Sequence, residues 1–332
     1  MKTRMTELFG IQYPIQCGGM LWIATPELAA AISNAGALGN LTSGNYNSAE
    51  ELAAAIDKTR SLTDKPFIVN ITTMPSIRLP TELLCEFFMV CCKKRVCAIE
   101  IAGAPVDTFL GREFLPMAKD AGVKVVHKVG TVKHAIHAEK VGYDAVIVAG
   151  FEEGGFPHTD NVSTLVLVPK TKEAVNIPVI AAGGMADGKS FAAALAMGAD
   201  GIMMATRFLA TKEAGVHPGI HDVLLKKNET DTALQLKSLL SGFGLQVRAL
   251  KNRIMEEIGR IENGGGDLKD LIPLISGQRA KKAWATGNAE EAMLTIGQSV
   301  GRINDIPSVT ELIERMVSEA RESLKNAEAA FD

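Results

Sequence analysis

No run of this 332-residue sequence is long and apolar enough to span a membrane. The most hydrophobic patch, residues 83–92, is too short and contains Glu86. The first residues, Met1-Lys-Thr-Arg-Met-Thr-Glu7, lack the apolar core of a secretory signal. Positive charge is not in excess either. The formal net charge is −3, so no global basic field draws in nucleic acid. Cysteine is scarce: Cys17, Cys85, Cys91, Cys92 and Cys97 are odd in number and form no C-x-x-C. The four between 85 and 97 fit no common iron–sulfur spacing. Free thiols, no metal site and a cytoplasmic location are therefore expected.

What the sequence does have is alternation. Hydrophobic residues make up 47 % of the chain, enough for a large core. Short apolar runs suited to buried strands fall at 13–17, 37–43, 66–73, 96–102, 124–129, 145–149, 178–182 and 201–208. Helical patterns follow at 26–35, 49–62, 81–93, 109–121, 132–141, 164–175 and 191–197, several stopped by glycine. Eight βα units in order predict an α/β fold, a (β/α)8 TIM barrel; a doubly wound open sheet is the alternative. After Phe208 strand signals stop. Helices are predicted at 217–227, 233–240, 245–261 and 268–275, as an insertion, and the amphipathic segment 308–330 returns to the barrel. The expected division is a barrel domain of residues 1–208 and 296–332 and a helical insertion of 209–295.

The organising stretch is Pro178-Val-Ile-Ala-Ala-Gly-Gly-Met-Ala-Asp-Gly188. Two glycines between a strand end and a helix start let backbone N–H groups face an anion, and the helix dipole adds positive character. A phosphate site and an ordinary βα turn are both consistent with Gly183-Gly184. Residues 183–190 also fit the P-loop pattern G-x-x-x-x-G-K-[ST]. Against that, only one strand-like run follows Ser190, and no nearby apolar strand ends in a magnesium-binding Asp. In a barrel, Gly18-Gly19-Met20, Asn70, Lys128, Gly154-Gly155, Gly183-Gly184 and Thr206 all fall at the C-terminal mouth, where active sites form. His127 alternates with Lys128 and is expected to pack on the other side of its strand.

These residues resemble the nitronate monooxygenase (2-nitropropane dioxygenase-like) flavoproteins, a group that includes enoyl-acyl-carrier-protein reductase II. The similarity is greatest to its bacterial NADH:quinone reductases. It runs through Pro14-Ile-Gln-Cys-Gly-Gly-Met20, Phe67-Ile-Val-Asn70, Val125-Val-His-Lys128 and Gly150-Phe-Glu152. It continues in Ala182-Gly-Gly-Met-Ala-Asp-Gly188, Ala205-Thr-Arg-Phe-Leu-Ala-Thr211, His217-Pro218 and Ser276-Gly-Gln-Arg279. The resemblance implies FMN at the mouth. Gly18, Gly19 and Met20 would pass along the flavin ring, and Asn70 and Lys128 would meet its polar edge or ribityl chain. Gly154, Gly155, Ala182, Gly183, Gly184, Ala205 and Thr206 would line the phosphate. Met20, Met74, Phe156, Ser276 and Gln278 would form the substrate pocket.

Three departures from the family pattern matter. Phe156 stands where the family carries the histidine associated with proton abstraction, and a phenyl ring accepts no proton. Ala205-Thr206 replaces Gly-Thr, and Ala149 stands where relatives carry an Asp toward FMN. His158 is the candidate replacement base, against a plain reading as a loop histidine. Loss of the base suits an NAD(P)H-dependent reductase that passes electrons through FMN to a quinone or activated alkene, because that transfer needs alignment and no side-chain base. Oxidation of nitronates by O2 and a non-catalytic FMN-binding protein are the alternatives. The expected partner is a small-molecule electron acceptor, and a homodimer is allowed.

Overall fold

The computed structural model describes residues 1–74 and 78–331. Eight parallel strands form the barrel: β1 (Ile15–Cys17), β2 (Gly39–Thr42), β3 (Phe67–Thr73), β4 (Ala98–Gly103), β5 (Lys124–Val129), β6 (Ala145–Ala149), β7 (Val179–Ala182) and β8 (Gly201–Met204). They pair in sequence order from β2 to β8, and β8 pairs with β1 in the register Ile15↔Ile202 to Cys17↔Met204. The β1–β2 seam narrows to one bridge, Gln16–Leu38. There Leu38 N–H donates to Ile15 O at 2.8 Å and Cys17 N–H to Leu38 O at 3.0 Å. The sheet is a nearly closed (β/α)8 barrel.

Strand alternation divides the core in two. Outward side chains such as Ile99, Ile101, Val125, Val146 and Val148 pack under the helices and are fully or almost fully buried. Each contributes on the order of 1.5–3 kcal/mol of burial free energy. Inward side chains Leu38, Ile68, Ala98, Val126, Ile147 and Ile180 fill the barrel. Met5 and Phe9 of the first helix, Arg4–Phe9, join this inner set and close the N-terminal end. Helix starts follow their caps: Ser48 accepts from Glu51 N–H, and Thr131 from His134 N–H. Gly142, left-handed at φ 102°, stops the helix Val132–Val141.

Four sequence expectations need correction. The eighth strand ends at Met204, and Thr206–Leu209 is helical. Its pairing partner β1 ends at Cys17, so nothing remains to extend the ladder. The helix expected at 109–121 is two short ones, Val106–Phe109 and Phe114–Asp120, separated by Gly111 at φ 147°. The segment 209–295 is not purely helical: β9 (Thr232–Gln235) and β10 (Val247–Leu250) form an antiparallel ribbon inside the helices expected at 233–240 and 245–261. Pairing with each other overrides the helix propensity of their Ala, Leu and Gln residues. The helix after β10 starts only at Arg253, where Asn252 accepts from Met255 N–H. The expected run of helices also misses Gly277–Thr286, capped by Ser276.

The last helix, Val309–Glu328, carries a Ser308/Glu311 capping box and lies on the helix Gly188–Ala196. Gly188 permits the close approach, since a Cβ there would strike Glu319 and Ala320. No helix among the described residues is long and apolar enough to cross a membrane.

Candidate active site

At the C-terminal end of the barrel the inward side chains are of two kinds. From β1 to β5 they are polar: Gln16, Asn40, Asn70, Glu100 and Lys128. From β6 to β8 they are apolar or small: Ala149, Ala182 and Met203. The mouth therefore has a polar half and an apolar half.

Glu100 is the centre of the polar half and is 1 % exposed. Its Oε2 accepts from Gln16 Nε2 at 2.9 Å and Asn40 Nδ2 at 2.6 Å, and its Oε1 from Asn70 Nδ2 at 3.2 Å. Burial pushes this carboxyl up to about 7, against the pull of Lys128 and the three amides. Lys128 Nζ lies 2.6 Å from Glu153 Oε2, and both side chains are largely buried. Burial raises Glu153 too, while Lys128 and Arg248 hold it down. Arg248 comes from β10. Its Nε donates to Phe151 O at 3.0 Å and its Nη1 to Thr232 Oγ1 at 3.0 Å, which fastens the ribbon to the loop after β6. His127 faces away, as alternation predicts. It stacks on Tyr143, hydrogen-bonds Gly103 O at 3.1 Å, and burial lowers it to about 4.

This pairing sets an expectation for Lys128→Met. Removing the cation strands the buried Glu153 carboxylate, which costs about 3–5 kcal/mol of stability. Denaturant unfolding of flavin-free protein should show that loss, and Glu153→Gln in the same chain should restore most of it. Equal stability of wild type and Lys128→Met would remove the pair from the account.

The apolar half carries a glycine-lined rim. Gly183 and Gly184 are consecutive left-handed residues, φ 87° and 75°. Among the described residues, no protein oxygen accepts the N–H groups of Gly183, Gly184 or Met185. Thr164 braces the turn from behind, its Oγ1 3.0 Å from Glu152 Oε2 and 3.1 Å from the carbonyls of Ala182 and Gly183. Thr206 Oγ1 accepts from Gly297 N–H at 3.0 Å. Gly18 lies against Ala205, and a Cβ on Gly19 would strike the Asn70 side chain. Three unclaimed N–H groups on one tight turn make an anion cradle, which fits the phosphate of FMN.

The helix start at Gly188 does not share in that cradle. Gly188 N–H donates to Glu319 Oε2 at 3.0 Å, Asp187 caps Ser190 N–H at 2.8 Å and pairs with Arg302, and Lys189 is exposed. Two of the first three helix N–H groups are thus taken by side chains and the lysine is exposed, which weighs against the P-loop reading.

The remaining expected residues are placed as follows. Gly154 lies against the backbone of Ile296 and Gly297. Gly155 N–H donates to Arg248 O at 3.0 Å, so it shapes the rim without supplying a donor. Phe156 is 37 % exposed on the same loop. Met74 is half-buried against Gly103. The Ser276–Gln278 segment reaches the loop after β1, where Trp22 Nε1 donates to Gly277 O at 2.8 Å beyond Met20. His158 packs against Gly130 and Gly244, with its ring 5.9 Å from that of His134. Its Nδ1 accepts from Asp160 N–H at 3.2 Å. Among the described residues no polar contact joins it to Lys128, Glu153 or Asn70. The five cysteines are free, and no cluster of described residues has the makings of a metal site.

Sequence reasoning missed Gln16, Asn40, Glu100 and Glu153. The signal was present for the first three, a lone polar residue inside an apolar strand, as in Ile99-Glu-Ile101.

Residues 2–319 match the family model described as nitronate monooxygenase. The Rhodococcus jostii (3aS,4S,5R,7aS)-5-hydroxy-7a-methyl-1-oxo-octahydro-1H-indene-4-carboxyl-CoA dehydrogenase is 34 % identical over 96 % of this chain and 96 % of its own. A probable nitronate monooxygenase of Staphylococcus aureus is 31 % identical over 90 % of this chain and 92 % of its own. The solved structure of FabK from Thermotoga maritima is 34 % identical, covers 99 % of both chains and superposes with a TM-score of 0.87.

Proposed function

This chain belongs to the nitronate monooxygenase family and is an oxidoreductase, and we propose that it uses FMN to carry electrons from NAD(P)H to an activated alkene or a quinone. The observation that carries this reading is that the unclaimed N–H groups at Gly183–Met185 and the polar floor around Lys128 lie at the same, C-terminal end of the barrel, with Phe156, a side chain with no proton to move, on one of its loops. FMN, when bound, supplies the two-electron chemistry. The chain's own residues hold and orient it. The N–H groups of Gly183, Gly184 and Met185, with the Thr206 hydroxyl, hold the phosphate. Bare backbone at Gly18 and Gly19 lets the ring lie close, and Lys128 places a cation at the polar half. Phe156 and Met20 keep the substrate face apolar.

An α,β-unsaturated thioester is the favoured alkene. The FabK and carboxyl-CoA dehydrogenase relatives cover nearly the whole chain. Nitronate oxidation is the second reading, supported by the Staphylococcus aureus relative. The two are separated by photoreducing the FMN-loaded protein without oxygen and adding each acceptor in turn. An unsaturated CoA thioester or a quinone is expected to restore the oxidised spectrum. Reoxidation by neither, with oxygen consumed only when a nitronate is present, would reverse the order of the two readings.

A further inference from the structure

The floor of the mouth holds two buried carboxyls and one lysine. Among the described residues, Lys128 lies within ion-pair distance of Glu153, and no cation lies within that distance of Glu100. Glu100 is instead held by the neutral amides of Gln16, Asn40 and Asn70. If both carboxyls are ionised, the three groups sum to one negative charge in a water-poor space. One bound proton neutralises the set, and Glu100 is where it costs least, since Glu153 has the direct cation.

The amides are arranged to serve both protonation states. Gln16 Oε1 and Asn40 Oδ1 are buried with no hydrogen-bond partner. Asn40 is fixed, because its Nδ2 also donates to Cys17 O at 3.0 Å. Gln16 has no second oxygen holding its Nε2; the other neighbour is the Met203 sulfur at 3.8 Å. Turning the Gln16 amide over presents Oε1 to a carboxylic O–H on Glu100. That turn exchanges one unpaired atom for another, so its cost is small. Asn70 links the same carboxyl to the site, because its side chain lies against Gly19.

We propose that Glu100 is a proton-coupled positioning residue: it takes a proton from solvent when the bound cofactor gains negative charge, returns it on reoxidation, and transmits the change through Asn70 to the Gly18–Met20 backbone. This rests on the FMN oxidoreductase reading. In the step, NAD(P)H gives two electrons and one proton to the cofactor, which gains one negative charge. Separately, the Glu100 carboxylate forms one O–H bond with a solvent proton, and no electron moves on Glu100. The groups that face it are the Gln16 amide from β1, amides alone from β2 and β3, and Lys128 from β5, with Glu153 and Arg248 behind that lysine; the Cys17 thiol packs on the outer side of β1, within reach of its charge. Burial raises the Cys17 thiol well above its usual range, so it stays neutral and does not compete for the proton.

The test has two arms. In flavin-free protein, infrared difference spectra across neutral pH should show one buried carboxyl titrating near 7, absent in Glu100→Gln. In FMN-loaded protein at about pH 8, anaerobic photoreduction with a pH indicator should show wild type taking up about one proton more per two electrons than Glu100→Gln. If Glu100→Gln does not fold, Glu153→Gln replaces it. That change frees Lys128 for Glu100 and should move the infrared transition to lower pH. Equal proton uptake in wild type and Glu100→Gln, or an infrared midpoint unmoved by Glu153→Gln, overturns the proposal. Protein that retains no FMN defeats the functional reading instead, while the infrared arm still reports on Glu100.

Discussion

Gly184→Asp is expected to fold and to purify without FMN, while Gly184→Asn keeps it. The two variants share one backbone problem, a side chain at φ 75°, which Asn and Asp tolerate better than other residues. They also share the available space, since a Cβ at this position meets nothing closer than the Glu152 Cβ at 3.9 Å. They differ only in charge. A carboxylate in a cradle of unclaimed N–H groups occupies the anion's place and repels its phosphate, and such a like-charge contact costs several kcal/mol. At about 1.4 kcal/mol per tenfold, FMN affinity should fall by at least about 100-fold. Gly183 would be a poorer place for the test, because a Cβ there already meets Gly150 O at 3.0 Å and Thr164 Oγ1 at 3.1 Å. The measurement is FMN titration of both variants with circular dichroism as the folding control. Equal affinities for FMN would move the phosphate elsewhere on the rim.

Phe156→His should raise the oxidation of neutral nitroalkanes by about 10²–10⁴-fold, the usual contribution of a placed general base. Wild type should turn them over only marginally. Phe156 stands where the resemblance to the family implies a histidine, and its 37 % exposure leaves room at the rim for an imidazole. Preformed nitronates have already lost the proton, so their rates should change far less. Reduction of the flavin by nicotinamide should be almost unaffected. The comparison is steady-state oxygen uptake with nitroethane and with its nitronate across pH. A wild type that oxidises nitroethane rapidly, with one essential base in its pH profile, would contradict this account of the loop. His158→Ala would then identify that base: His158 is the nearest histidine in sequence, although it is packed among Gly130, His134 and Gly244.

The barrel was legible because its strands are buried on both faces and read as continuous apolar runs. The runs 124–129 and 145–149 match β5 and β6 residue for residue. The helices at 49–62 and 132–141 match because Ser48, Thr131 and Gly142 mark their ends chemically. The ribbon β9–β10 was not legible. Four-residue strands rich in Ala and Leu carry no local signal, and what makes them strands is a partner 12 or more residues away. Glu100 was visible as a lone charge in an apolar strand, but its place in the site was not. Whether one residue of β4 faces inward matters only once the sheet closes and brings Gln16 of β1 and Asn40 of β2 to the same carboxyl. Lys128 was foreseen as a mouth residue, but its partner Glu153 was not, since burial of a loop carboxylate is a tertiary fact. Gly155 shows the opposite error. Glycine at a rim suggests a free donor, yet this one gives its N–H to Arg248.

The claim that the mouth is an FMN site fed by a nicotinamide has one direct measurement. Purified protein is loaded with FMN, freed of oxygen, and mixed in turn with NADH and NADPH while the flavin absorbance is followed. At least one of them is expected to bleach the flavin completely within the time of steady-state turnover. Flavin that binds tightly and stays oxidised with both nicotinamides would contradict it, and would leave nitronate oxidation or a non-catalytic flavin-binding role in its place.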